Sequence, residues 1–105
     1  MVRIPTNRSP THPGEMLEEE FLRPLGISQT DFAQRIGVSF QRINTLVRGK
    51  RGVTPDTALR LAKATGMSPD FWMNLQIRWD LWQAMHGPEA GAIEKIEKIP
   101  ELAQA

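Results

Sequence analysis

Apolar residues recur at steps of three and four along most of the chain, in five stretches separated by capping residues. This spacing is typical of amphipathic α-helices, and the alternating pattern of a half-buried β-strand is absent. Ser, Thr or Pro begins each stretch, and Gly or His follows its end, as at the two ends of a helix. The five predicted helices run from Pro13 to Gly26, Ser28 to Gly37, Ser39 to Gly49, Thr54 to Gly66 and Ser68 to His86. The pattern therefore predicts an all-α domain.

The second and third predicted helices carry the residue types that a helix-turn-helix unit needs. Two helices held at a fixed angle require a small residue at their contact and a residue that tolerates positive φ in their turn, and Ala33 and Gly37 meet these needs. Ser28 and Asp31 match the capping-box pattern, with Asp31 in the reach-back position. The residues that would fix the pair to a core are Phe32, Ile36, Val38, Ile43 and Leu46. The alternative is an ordinary pair of packed helices.

The third predicted helix bears side chains that can read the edges of DNA bases. The amides of Gln41 and Asn44 can pair with adenine, and Phe40 or Thr45 can meet the methyl group of thymine. Arg42 can reach a guanine or a phosphate, and Gln29 and the basic loop can reach phosphates. The predicted DNA contacts are Gln29, Ser39, Phe40, Gln41, Arg42, Asn44, Thr45, Arg48, Lys50 and Arg51. At each position the alternative is a side chain that simply faces solvent.

The fifth predicted helix is apolar on two sides. One stripe consists of Trp72, Leu75, Trp79, Trp82 and His86, and the other of Met73, Ile77 and Leu81. A domain of this size can cover one side, so the other side calls for a partner. A two-fold homodimer would also place two recognition helices one turn of DNA apart. We expect a dimer interface that includes Trp72, Trp79, Trp82 and Met85. The alternative is that the C-terminal tail folds back over the second side.

Composition narrows the possible functions further. The 105 residues include no Cys, which excludes disulfides, thiolate metal sites and cysteine nucleophiles. His12 and His86 form no recognisable metal-binding pattern, and we expect no metal and no cofactor. The sequence has no nucleophile–base pair and no glycine-rich phosphate loop, so an enzymatic function is the weakest hypothesis. No apolar run reaches the roughly 20 residues of a membrane span, and the N-terminus lacks the pattern of a secretory signal.

Charge is distributed unevenly along the chain. The net charge is only +1, but residues 28–60 hold six basic residues against two acidic residues, whereas residues 61–105 hold four against six. A basic middle segment is a mild electrostatic indication of nucleic-acid binding. Together these patterns predict an N-terminal arm over residues 1–12, a helix-turn-helix domain with a dimerising fifth helix over 13–86, and a tail over 87–105. In the tail, isoleucines recur at every third position up to Pro100, which fits either a short helix or a frayed end.

Residues 12–85 resemble the HigA-type antitoxins, a branch of the Xre/Cro-repressor-like helix-turn-helix group. The resemblance rests on the opening HPGEML, on the block GKRGVTPDTALRLAKATGMSPDFWMNLQ and on the following RWDLW. It implies a five-helix, lambda-repressor-like helix-turn-helix domain with a short N-terminal arm and a C-terminal tail. It also implies a cytoplasmic homodimer that represses its own operon and neutralises a HigB-type toxin, a ribosome-associated mRNA endonuclease.

The resemblance also assigns roles to individual residues. Gln29 matches the glutamine that anchors the DNA backbone in this group, and Phe40, Gln41 and Thr45 match its base-facing positions. Phe40 stands where relatives have a polar or basic residue, and Arg42 where they have a small one, so the operator sequence does not transfer.

The sequence offers three candidates for the toxin-binding surface: the N-terminal arm, the tail, and the acidic first helix with Glu18, Glu19 and Glu20. The first helix is favoured, because acidic side chains suit a basic partner that binds RNA. The competing reading is a stand-alone Xre-type regulator without a toxin.

Overall fold

The computed structural model describes residues 9–103, and every regular element within that range is helical. The elements are α1 (Pro13–Leu17), a π-helical segment (Glu18–Leu22), α2 (Arg23–Leu25), α3 (Gln29–Ile36), α4 (Phe40–Val47), α5 (Pro55–Thr65), α6 (Pro69–Met85), α7 (Ala90–Glu94) and α8 (Pro100–Ala103). The five predicted helices are confirmed, the first as α1 to α2 and the fifth as α6. The tail adds two short helices, and most of the predicted N-terminal arm (residues 1–8) lies outside the described residues. None of the described helices is long and apolar enough to cross a membrane.

The first helix changes its hydrogen-bond spacing before it ends. The N–H of Arg23 donates to the carbonyl of Glu18, five residues back, and the π-helical segment ends at Leu22, two residues before Pro24. Proline lacks an N–H and crowds the preceding turn of a regular α-helix, so a local change of spacing at this point has a physical cause. The helix passes Pro24 and ends at Gly26, where φ is +65° and the N–H of Ile27 closes the end on Leu22 O at 3.0 Å.

Side-chain caps define the starts of the four following helices. In each case a hydroxyl oxygen accepts the backbone N–H three residues on, and the capping residues are Ser28, Ser39, Thr54 and Ser68. Only half of the predicted capping box at α3 forms. The carboxylate of Asp31 does not reach back to Ser28, because it accepts two hydrogen bonds from the Arg35 guanidinium, at 3.1 and 2.9 Å.

Trp72 lies at the centre of the core and is completely buried within its own chain. The rings of Phe21 and Phe71 pack against it at 5.7 and 5.1 Å, and its indole N–H donates to the hydroxyl of Thr65 at 3.3 Å. The prediction that Trp72 contributes to a dimer interface is therefore wrong, because it has no surface left to offer. The other large, fully buried side chains among the described residues are Pro13, Leu17, Leu22, Ile43, Leu46 and Leu61.

The outer side of α6 remains uncovered. Ile77, Leu81 and Met85 recur at steps of four and are 38, 40 and 46% exposed. The tail does not shield itself either, since its apolar residues Ile93, Ile96, Ile99 and Leu102 are all more than half exposed. Trp79 and Trp82 are half-buried, against His12 and His86 respectively.

Candidate nucleic-acid interface

The turn between α3 and α4 is fixed by its own backbone. Gly37 adopts φ +74°, and the N–H of Val38 donates to the carbonyl of Ala33 at 3.0 Å. Ala33 is buried where the two helices meet, so a larger side chain would push them apart. A long-range bond adds to this: Nη1 of Arg60, on α5, donates to the carbonyl of Ile36 at 2.7 Å. The predicted helix-turn-helix geometry is confirmed.

The first helix fixes α4 from the other side. A Cβ atom added at Gly14 would lie only 1.8 Å from the carbonyl oxygen of Leu46 and 2.9 Å from Cα of Val47. The backbones of α1 and α4 therefore touch directly, and only glycine fits. His12 caps α1, because its Nδ1 accepts the N–H of Gly14 at 2.9 Å. His12 thus stabilises the start of α1, the helix whose backbone fixes the position of α4.

Two residues of α4 and its C-cap share the side of the helix that faces away from the core. Gln41, Thr45 and Arg48 recur at steps of four and three, while the buried Ile43 and Leu46 lie opposite them. The hydroxyl of Thr45 donates to the carbonyl of Gln41 at 2.8 Å, so its methyl group is the part left for an external contact. Phe40, at the start of α4, is 50% exposed. Ser39 caps the helix by accepting the N–H of Arg42, which leaves its hydroxyl hydrogen free to donate.

Gln29 and Asn44 form a pair across the two helices. Nδ2 of Asn44 donates to Oε1 of Gln29 at 3.1 Å, and both side chains are half-buried. This bond uses part of the Asn44 amide that the sequence assigned to adenine. Because the bond occupies only the oxygen of the Gln29 amide, its side-chain N–H groups remain possible donors, at the start of α3 where the first backbone N–H groups have no intrahelical partner. The pair therefore presents one polar surface at the end of α3 beside the outer face of α4.

The structure places Arg42 away from this surface. Its Nη2 donates to Oδ2 of Asp56 at 2.9 Å and to the hydroxyl of Thr57, both on α5, and its side chain is only 26% exposed. Arg42 follows Gln41 by about 100° around the helix, so it points toward α5 rather than outward. This geometry does not support the predicted contact of Arg42 with a base or a phosphate, because here Arg42 joins α4 to α5.

A basic loop continues from the end of α4. Arg48, Lys50 and Arg51 are exposed, and none of the three forms an ion pair within residues 9–103. The loop is nevertheless held in place. Oε1 of the buried Gln76 accepts the N–H of Val53 at 2.7 Å, and its Nε2 donates to Asp80 at 2.9 Å. The sequence does carry a signal for the role of Gln76, because it places an amide within the apolar face of the fifth predicted helix.

Two titratable groups in this region have shifted pKa values. The guanidinium groups of Arg42 and Arg60 donate to Asp56 and lower the pKa of its carboxyl group. Burial lowers the pKa of His12, and the carboxylates of Asp80 and Glu15 act against that shift. The sequence predicted no binding role for these two residues, nor for Arg60 and Gln76, whose hydrogen bonds instead support α5 and the basic loop.

The chain is similar to helix-turn-helix proteins along most of its length. The family profile described as Helix-turn-helix matches residues 19–72. Virulence-associated protein I of Dichelobacter nodosus is 48% identical over 73 residues, which is 70% of this chain and 68% of the relative. Antitoxin HigA-1 of Vibrio cholerae is 44% identical over 78 residues, 73% of this chain and 72% of the relative.

A solved structure extends the likeness to the fold. It is described as Pseudomonas aeruginosa antitoxin HigA with the higBA promoter, and it superimposes with a TM-score of 0.80 at 38% identity. The match covers 86% of this chain and 98% of that one. The chain therefore belongs to the helix-turn-helix family, and within it to the HigA-type antitoxins.

Proposed function

We propose that this chain is the antitoxin of a type II toxin–antitoxin module, which binds operator DNA as a dimer, represses its own operon and neutralises a HigB-type mRNA endonuclease. The carrying observation is the outer face of α4, where Gln41, Thr45 and Arg48 project beside the Gln29–Asn44 pair. A face of this kind, followed by a basic loop that forms no ion pair with the described residues, has the shape and charge that a major groove accepts.

The DNA-binding part divides into reading and positioning contacts. Phe40, Gln41, Asn44 and Thr45 are the proposed base contacts, since they carry amide or apolar groups on the exposed part of α4. Phosphate contacts are proposed for Gln29, Ser39, Arg48, Lys50 and Arg51, which offer donors or positive charge around that face. The similar fold of the P. aeruginosa antitoxin HigA, solved with the higBA promoter, supports DNA binding by this domain.

The dimer is proposed to form through the uncovered side of α6. Ile77, Leu81 and Met85 are exposed there at steps of four, and the half-buried Trp79 and Trp82 retain part of their surface. A two-fold axis at this helix would bury the stripe against its own copy. The toxin is proposed to dock on the acidic first helix, at Glu18, Glu19 and Glu20, and the protein is expected to act in the cytoplasm.

A gel-shift titration tests the DNA-binding part. The probe is the DNA directly upstream of the chain's own gene, and a scrambled duplex of equal length is the control. We expect the upstream DNA to bind at least about a thousandfold more tightly at physiological salt. Equal affinity for the two duplexes would contradict operator binding.

Co-expression with the neighbouring gene separates the antitoxin from the second candidate, a stand-alone Xre-type regulator. The similarity to P. aeruginosa HigA on the higBA promoter favours the antitoxin. We expect the neighbour's product to co-purify with the chain and to stop growth when expressed alone. Specific DNA binding without either result would favour the stand-alone regulator.

A further inference from the structure

One carboxylate oxygen joins the elements of the helix-turn-helix unit to α5. Oδ2 of Asp56 accepts Nη2 of Arg42 at 2.9 Å and Nε of Arg60 at 3.0 Å. Arg42 belongs to α4, whereas Asp56 and Arg60 belong to α5. Because Arg60 also donates to the carbonyl of Ile36 at the end of α3, the same cluster reaches both helices of the unit.

The tether makes Arg42 different from the other cations near the exposed face of α4. Arg48, Lys50 and Arg51 extend into solvent without carboxylate partners in the described part of the chain, whereas Arg42 is bonded to Asp56 and Thr57 and is mostly covered. Arg42 is nevertheless only one residue from Gln41. A guanidinium on a flexible stem at this position could reach a phosphate if it were released.

Fold stability alone is a poor explanation for this cluster. Asp56 is more than half exposed, and ion pairs on an exposed carboxylate add little to the free energy of unfolding. The bonds instead fix orientation. A guanidinium group has fixed donor directions, and the guanidinium groups of Arg42 and Arg60 both donate to the same oxygen of Asp56. The cluster therefore restrains where α4 lies on α5 and where its arginine points.

We propose that Asp56 is a positioning residue for DNA recognition: it holds α4 in register with the turn and α5, and it keeps Arg42 off the DNA backbone. Arg42 is thereby prevented from adding a phosphate contact that carries no sequence information. The result is a higher ratio of specific to non-specific affinity. The inference rests on the proposed DNA-binding function.

The test compares Asp56→Asn with Asp70→Asn. Both residues follow a proline in the first turn of their helix, so each substitution removes one negative charge from an equivalent position. Asp70 forms no ion pair within the described residues, which makes it the matched control. Affinities for the upstream DNA and for a scrambled duplex are measured from about 50 to 200 mM salt, and thermal unfolding is followed by circular dichroism.

In Asp56→Asn we expect the specificity ratio to fall about fivefold or more relative to Asp70→Asn, with scrambled DNA bound more tightly. The slope of log affinity against log salt should steepen by about 0.9, the value for one additional phosphate contact. Adding Arg42→Gln to Asp56→Asn should restore the slope, because the released guanidinium is then absent. The melting temperatures of the two single variants should remain similar.

Three results would overturn the inference. One is an equal specificity ratio in Asp56→Asn and Asp70→Asn, while the wild-type chain still prefers its upstream DNA. This result would contradict the role of Asp56 but not operator binding. The second is a wild-type chain that does not distinguish the two duplexes, and this removes operator binding together with the inference. A steeper slope that persists after Arg42→Gln would also contradict it, since Arg42 would not be the source.

Discussion

At the scale of single residues, Gly14 is the glycine at which an added Cβ atom would approach α4 most closely. The contact at Gly14 involves no side chain, because the Cα of Gly14 packs on the carbonyl of Leu46 and on the backbone of Val47. Backbone atoms cannot move aside as the end of a flexible side chain can. The orientation of α4 therefore depends on the absence of a single methyl group in α1.

Gly14→Ala should lower the free energy of unfolding by about 3 kcal/mol or more, because the added Cβ would force α1 and α4 apart. Urea denaturation measures this change. The matched control is Gly91→Ala, where the added Cβ meets no atom within 4 Å. That substitution should be neutral or slightly stabilising, and a loss of similar size in both variants would contradict the explanation.

His12 makes a pH dependence of the same region predictable. Its Nδ1 accepts a hydrogen bond, and burial lowers its pKa, so the folded state binds fewer protons than the unfolded state. Stability should be complete above the unfolded pKa of about 6.5 and should fall as the pH drops from there through the lowered folded pKa. Urea denaturation between pH 8 and 5 measures the loss.

His12→Asn provides the control, since asparagine can cap a helix but does not titrate. We expect this variant to be less stable than the wild type at pH 8, because asparagine lacks the ring that packs on Trp79. Between pH 7 and 5 it should lose less stability than the wild type. An equal loss in the two proteins would assign the pH dependence to other groups.

At the scale of elements, the helix boundaries were predictable because local residues determine them. Ser28, Ser39 and Ser68 bond backbone atoms only three residues away, and the glycines that end helices need nothing beyond their own φ. The same locality explains why the helix-turn-helix unit was recognisable from residue types alone.

The roles of Arg42 and Trp72 were not predictable with the same reasoning. Both depend on partners far along the chain, on α5 for Arg42 and on several helices for Trp72. Helical spacing did indicate that Arg42 differs from its neighbours, because it lies between the buried and the exposed sides of α4. For Trp72, two apolar stripes gave no indication of which one the domain itself covers.

The exposed face of α4 gives a prediction at this scale. Gln41→Ala and Thr45→Ala should each weaken binding to the upstream DNA about tenfold, because a lost base contact costs about 1–3 kcal/mol of discrimination. Binding to scrambled DNA should change little. Gln34→Ala, an exposed glutamine on α3, is the control, and wild-type affinity in both α4 variants would mean that the reading face is misassigned.

At the scale of the whole molecule, the uncovered stripe on α6 is the proposed dimer interface. Leu81→Asp should convert the proposed dimer to a monomer at micromolar concentration, because a buried unpaired carboxylate is strongly unfavourable. Light scattering measures the mass. Leu25→Asp introduces the same charge at a residue that is 68% exposed on α2 and should leave the mass unchanged. A dimer that persists in Leu81→Asp would place the interface elsewhere.

The side chain of Gln76 links two regions that are proposed to bind different partners. It lies on α6, and it holds the amide of Val53 at the end of the basic loop, so opening of the loop requires the rupture of a buried hydrogen bond to that helix. Hydrogen–deuterium exchange at this one amide therefore reports on both regions. Any event that loosens α6 would raise the exchange rate of this amide beside the loop, without a label on the DNA or on a second protein.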